Sequence, residues 1–288
     1  MGYQVNRYAR SMVTGRTDAI DLWVVSQPAT AWASMILFSR LIEVCNADGY
    51  GVLLSSIPTQ HRLAPDKPLP DLWPTDCRIA FACENFVSRY IQDHPQDRRI
   101  IHCSNQNKEG LDWVEVNLGD AGYRAAKHLV DIGCRNIVHF QTHYIDSNPD
   151  DTRLLGYKQA MDEAGLPHRV HICDDETQSA GFETMKALLD SGEKIDGLVC
   201  RRDELAIGAC LALQSAGLSI PTDVAVVGFN GIAECEQLSV PLTTLRMPLA
   251  EIADAAWELA KRRIEEPESA PRHLRVDYQF VLRASTQR

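Results

Sequence analysis

The stretch DVAVVGFNGI, Asp223–Ile232, followed closely by PLTTLRMPLAEIADAAWELAKRRI, Pro241–Ile264, sets the reading of the whole chain. DVAVVGF is an unbroken run of small and branched apolar residues, the pattern of a strand covered on both faces. LAEIADAAWELAKRRI repeats its apolar residues at helical spacing. A doubly covered strand leading to an amphipathic helix is the repeating unit of a parallel α/β sheet.

The same alternation extends towards the N-terminus. IDLWVV, GVLLSS, CRIAFAC, RRIIHC, DWVEV, NIVHFQ, RVHIC and DGLVC read as strands. Between them AWASMILFSRLIEVCNADGY, ENFVSRYIQ, GYRAAKHLVDIG, TRLLGYKQAMDEAG, GFETMKALLDSG and DELAIGACLALQSAG read as helices. Near the C-terminus LRVDYQFVLR reads as one last strand of alternating character. Five prolines, Pro58, Pro65, Pro68, Pro70 and Pro74, make a regular helix improbable after Ile57. The strands are too many for one small sheet, and no Gly/Ser-rich linker separates two halves. The expected architecture is therefore two parallel-sheet lobes joined by short ordered crossovers, which a chain of 288 residues is long enough to build.

Composition narrows the class. The apolar and charged fractions, 45% and 24%, are those of a soluble globular protein, and no apolar run approaches a membrane span. No export signal stands at the N-terminus, so the expected location is the cytoplasm. The nine cysteines are scattered singly without a C-x-x-C pair, as reduced core thiols would be. A net charge of −10 argues against nucleic acid bound by the body of the protein. Arg7, Arg10 and Arg16, however, all precede the first acidic residue, Asp18, so the opening segment is locally basic, like an arm that contacts nucleic acid.

No phosphate-binding loop, dinucleotide fingerprint, nucleophile elbow or H-E-x-x-H motif occurs. His139 and His143 have metal-ligand spacing but straddle a strand end, and His168 and His171 fall on opposite faces. No enzyme activity, cofactor or metal is expected. In open parallel sheets ligands bind beyond the carboxyl ends of the strands. The residues there are Ser26 and Gln27, His102, Arg153 at the head of a helix, Arg202 and Asp203 after DGLVC, and Asn230 after DVAVVGF. Asp203 equally suits a helix cap, and Arg153 a surface pair with Asp150 or Asp151.

DVAVVGFNGI with PLTTLRMPLAEIADAAWELAKRRI resembles the most recognisable stretch of the lac-repressor/gal-repressor family of bacterial transcription regulators. RLLGYKQAMDEAGL, KHLVDIGCRNIVHF and RRDELAIGACLALQSAGLSIP are similar to further family segments in the same order. The resemblance implies an α/β fold of the periplasmic-binding-protein type (type I), with two parallel-sheet lobes, three crossovers and a ligand cleft between the lobes. It implies one lobe over 18–116 plus 246–270 and another over 117–245 plus 271–288. It also implies a homodimer that responds to a small-molecule effector, usually a sugar or a purine, and represses transcription. The alternative is a solute-binding protein serving a transporter, which the hinge-like segment at Asn6–Met12 opposes.

Residues 1–17 are similar to the end of the family's DNA-binding headpiece and its hinge helix. Asn6, Arg7 and Ala9 match the family's N-R-x-A pattern, Arg10 falls near phosphates, and Met12 stands where an apolar side chain wedges into the minor groove. The resemblance leads one to expect a helix-turn-helix headpiece ahead of Gly2. The sequence lacks it, so specific operator binding is expected of a longer chain only. At the ligand positions the family's Val-Asp-Asn is Val116, Asn117 and Leu118 here, its Asn-Asp is Arg202 and Asp203, and its Gly-Phe-Asp-Asp ends in Asn230 and Gly231. Acidic groups are replaced by amides and an amide by a guanidinium. The expected effector therefore bears a carboxylate or phosphate and meets Arg153, Arg202 and His102; the competing expectation is that Arg202 fills the cleft or pairs with Asp203, so that neutral sugars no longer bind.

Overall fold

The computed structural model describes residues 15–25, 31–57, 73–143 and 151–288. Two compact units divide the chain. The first takes the described residues up to Val116 together with Leu249–Val276, and the second takes Asn117–Pro248 and Asp277–Arg288. The chain thus passes from one unit to the other three times.

In the first unit, β1 (Ala19–Val25), β2 (Gly51–Ile57), β3 (Cys77–Phe81), β4 (Ile100–Ser104), β5 (Asp112–Val116) and β11 (His273–Val276) form a six-stranded sheet in the order β11-β5-β4-β3-β1-β2. Every neighbouring pair is parallel. All-parallel pairing needs cover on both faces, so β3 and β4 are buried at every residue. The helices are α1 (Ala31–Ala47), α2 (Glu84–Asp93) and α7 (Leu249–Glu265). Trp23 of β1 meets Phe86 and Tyr90 of α2 edge-on, at ring-centroid distances of 5.1 and 5.0 Å.

The second unit carries α3 (Leu118–Asp131), β6 (Ile137–Thr142), α4 (Thr152–Glu163), β7 (Val170–Cys173), α5 (Gln178–Asp190), β8 (Gly197–Cys200), α6 (Asp203–Ser215), β9 (Ala225–Asn230), β10 (Thr243–Arg246) and β12 (Gln279–Val281). Its sheet runs β12-β10-β9-β8-β6-β7. All pairs are parallel except β10 with β12, which is antiparallel. The core gathers Val138, Phe140, Leu198, Val226, Leu205 and Leu213. Its helices pack in two close pairs, α3 with α4 and α5 with α6, each admitted by glycine. A Cβ at Gly122 would lie 2.2 Å from the Arg153 carbonyl oxygen, and one at Gly208 would lie 1.9 Å from that of Gln178. These contacts hold α4 and α6, and with them the residues at their heads, at fixed positions.

Two expectations need correction. LRVDYQFVLR is not one strand: β11 joins the first unit's sheet, and β12, beginning only three residues later, joins the second's. TTLR, which carries no apolar run, is a full strand, β10, buried because it pairs with both β9 and β12. All nine cysteines are free and buried. Burial pushes the Cys45 and Cys210 thiols up to about 12, leaving them protonated and inert at neutral pH. The proline-rich segment after Ile57 lies largely outside the described residues.

Candidate effector site

Four parallel strands of the second unit, β6, β7, β8 and β9, deliver polar residues to one edge of the sheet, the edge where such folds bind ligands. Gln141 is the penultimate residue of β6, and Asp151 opens α4 after the following loop. Glu176 stands in the turn between β7 and α5. Arg201 and Arg202 follow β8 directly, and Asn230 ends β9. Because β12 is antiparallel to β10, Tyr278, just ahead of its first residue, comes to the same edge.

Asp151, 2% exposed, is the centre of the cluster. One carboxylate oxygen accepts from the Arg153 backbone N–H at 3.1 Å, capping α4, and from Arg153 Nε at 3.3 Å. The other accepts from Gln141 Nε2 at 3.1 Å and from Arg201 Nη1. Burial alone would raise the Asp151 carboxyl, but the Arg153 and Arg201 guanidinium groups outweigh it and hold the group well below the usual carboxylate range. Arg201 also donates Nε to Glu176 at 3.0 Å, while Arg202 donates Nη1 to the other Glu176 oxygen at 3.1 Å. Arg202 further contacts Glu204 at 3.3 Å. Glu176 is likewise lowered: burial raises it, and Arg202 and Arg201 more than offset that.

Asp203 has a different task. Its buried carboxylate accepts from the Gly231 and Ile232 backbone N–H groups at 2.5 and 2.9 Å and from Thr244 Oγ1 at 2.7 Å. Burial raises its carboxyl against the lowering by these hydrogen bonds. Asp203 thus ties the head of α6 to the turn after β9 and to β10. A Cβ at Gly228 would stand 2.2 Å from its Oδ1, so only glycine admits this brace. The brace holds Asn230 in an unusual conformation, with φ at 111°, a region that favours glycine. Strain of this kind costs about 1–3 kcal/mol and persists only where surrounding contacts impose it.

The residues singled out from sequence are therefore distributed unevenly. Arg153 and Arg202 enter one network through Asp151, Arg201 and Glu176, and Asp203 and Asn230 meet at the turn after β9. His102 belongs to the first unit, as the middle residue of β4, fully buried, with no hydrogen-bond partner for either ring nitrogen among the described residues. Burial pushes its imidazole down to about 4, so it is neutral at physiological pH and supplies no positive charge. Ser26, Gln27, Asn6, Arg7, Arg10 and Met12 lie outside the described residues. Reading the strand ends alone passed over Arg201 and Glu176. The doubled arginine after β8 and an acid just beyond β7 were the available signals. The arginines expected to face an anionic effector are present, but Asp151, Glu176 and Glu204 pair with them. Among the described residues no cluster of His, Cys, Asp and Glu is placed to hold a metal, and no helix is long and apolar enough to cross a membrane.

The matching family model, over residues 126–286, is the periplasmic binding protein-like domain. A relative named HTH-type transcriptional repressor PurR, from Vibrio parahaemolyticus, is 30% identical over 309 residues, covering 100% of this chain and 87% of its own length. The ribose operon repressor of Haemophilus influenzae is 33% identical over 176 residues, or 60% of this chain and 53% of that one. The fold superposes with a TM-score of 0.74 on a LacI family transcriptional regulator from Arthrobacter sp. FB24 solved in complex with lactose, at 23% identity, covering 93% of this chain and 99% of the other. The fold and the matched domain are those of a periplasmic-binding-protein-like ligand sensor. This chain belongs to the lac-repressor/gal-repressor family of transcriptional regulators, and each relative named is a regulator rather than a transport protein.

Proposed function

We propose that this chain is the effector-sensing part of a transcriptional repressor, and that a small, polar, uncharged molecule binds against the strand ends of the second unit. The observation that carries the reading is the paired network of Arg153, Arg201 and Arg202 with Asp151, Glu176 and Glu204. Its guanidinium groups are already bonded to carboxylates, so an anionic ligand would have to displace an internal anion, whereas hydroxyl or amide groups can bond to a network already balanced. Arg153 and Asn230 are the direct contacts in this reading, and Asp203 positions Asn230 rather than touching the ligand. Sugars suit it, as the lactose complex and the ribose operon repressor among its relatives suggest by analogy. No catalytic role belongs to it.

The effector regulates through its different affinity for two conformations of the repressor. Operator contact belongs to the basic segment with Asn6, Arg7, Arg10 and Met12, together with a headpiece. Dimerisation fits the first unit, where α1 and the edge strand β2 expose Met35, Ile36, Leu53 and Leu54. A thermal-shift panel of neutral sugars, purine bases, uronic acids and sugar phosphates tests the reading, since a ligand that binds only the folded state raises Tm. Neutral compounds should stabilise the protein. Stabilisation by uronic acids or sugar phosphates alone would refute it.

A further inference from the structure

Two tyrosines buried in the second unit differ in one respect. Tyr157 of α4 is fully buried, and its hydroxyl donates to the Ile137 carbonyl at 3.0 Å and accepts from the Arg169 N–H at 3.1 Å. Tyr278, 2% exposed, has a hydroxyl with no hydrogen-bond partner among the described residues. Buried hydroxyls are ordinarily bonded, so an unbonded one calls for a specific reason.

Its position supplies one. The Tyr278 ring packs on Phe229 at 4.7 Å between centroids, and the Arg153 guanidinium lies over the same Phe229 at 5.2 Å. Phe229 thus connects Tyr278 directly to the effector-site arginine. In the sheet register Gln279 is opposite Arg246, and Arg246 is opposite Asn230, so Tyr278 stands at the edge where β9 ends. Burial raises the Tyr278 hydroxyl, and the charges of Arg153, Arg202, Asp151 and Arg201 all act on it, as they would on a group beside that cluster. Arg124 donates to its backbone carbonyl at 2.9 Å, so that the carbonyl is bonded while the hydroxyl is not.

We propose that the Tyr278 hydroxyl is a specificity-determining contact of the effector site, exchanging a hydrogen bond with a polar atom of the bound molecule. The inference rests on the effector reading given above. A hydroxyl can donate or accept, so it suits a sugar hydroxyl or a purine ring nitrogen equally. The adjacent Arg153 and Asn230 would fix the rest of the ligand.

The experiment compares Tyr278→Phe with Tyr157→Phe. Each variant is melted alone and titrated calorimetrically with those of ribose, lactose, hypoxanthine and guanine that stabilise the wild type. Tyr157→Phe should lower Tm and leave affinity unchanged. Tyr278→Phe should leave Tm unchanged or higher and weaken binding about tenfold, the worth of one hydrogen bond. A fall in Tm matching that of Tyr157→Phe, or undiminished affinity, overturns the role of Tyr278 while leaving the effector reading intact. A wild type that none of these compounds stabilises overturns both.

Discussion

The buried ion pairs of Asp112 and Asp151 use the same chemistry at opposite ends of their sheets. Asp112 opens β5 in the first unit, at the amino end of the strands, and accepts from Arg263 Nε at 2.7 Å, Arg262 Nη1 at 3.3 Å and the Arg272 N–H at 2.8 Å. Arg263 continues to the carbonyls of Pro267 and Ser269. The result ties the end of α7 and the chain beyond it to the sheet. Asp151 lies at the carboxyl edge of the second unit, and its partners come from three segments, β6, the head of α4 and the turn after β8. One arrangement fastens the fold. The other gathers side chains to the strand ends where we propose the effector binds, so the end of the sheet, rather than the residue types, separates the two proposed roles.

The largest effect should come from Asp112→Ala, which leaves buried arginines without their carboxylate. Breaking such a pair costs about 3–5 kcal/mol, measurable by urea unfolding, while the affinity of any stabilising ligand should persist. A loss of affinity as large as the loss of stability would erase the distinction between the two clusters.

Next in size is an effect of pH. His102 in the first unit is pushed down to about 4 and His139 in the second to about 3, both by burial, with Asp151 partly opposing the shift at His139. Neither imidazole has a hydrogen-bond partner among the described residues. Each is neutral in the fold, whereas the unfolded chain takes up its proton below about 6.5. Above that pH they have no effect. As pH falls from about 6.5 towards 4, stability should decline, by up to about 1.4 kcal/mol per pH unit for each histidine. Urea midpoints across that range should show a shallower acid slope for His102→Leu, and an unchanged slope would mean that the imidazole is not held neutral.

A smaller change sharpens the contrast from the other side. Gly122→Ala places a methyl 2.2 Å from the Arg153 carbonyl oxygen and must displace the head of α4. About 1–3 kcal/mol of stability should be lost, together with ligand affinity, because Arg153 moves with its helix. Equal affinity in this variant would separate Arg153 from the site.

Much of this fold was legible because strands covered on both faces leave continuous apolar runs, as in GLVC and AVVGF. TTLR escaped because its burial comes from neighbouring strands rather than from its own composition. The division at Asp277 and Tyr278 escaped because extended chain looks the same whichever sheet it joins. At the proposed site, strand ends pointed to Arg153, Arg202 and Asn230. Which carboxylates neutralise the arginines was not legible, since Glu176 approaches from the β7–α5 turn, and that proximity is tertiary. Asp203 was marked by its place at a helix head, but only the structure shows it holding the turn after β9.

We propose that the effector is read at the carboxyl edge of the second unit. Arg153→Lys tests this most directly, because lysine keeps the charge beside Asp151 and loses the planar fork. Calorimetric titration of a neutral compound that stabilises the wild type should show binding weakened at least about tenfold in a variant that remains folded by circular dichroism. Equal affinity of Arg153→Lys and wild type would contradict the account.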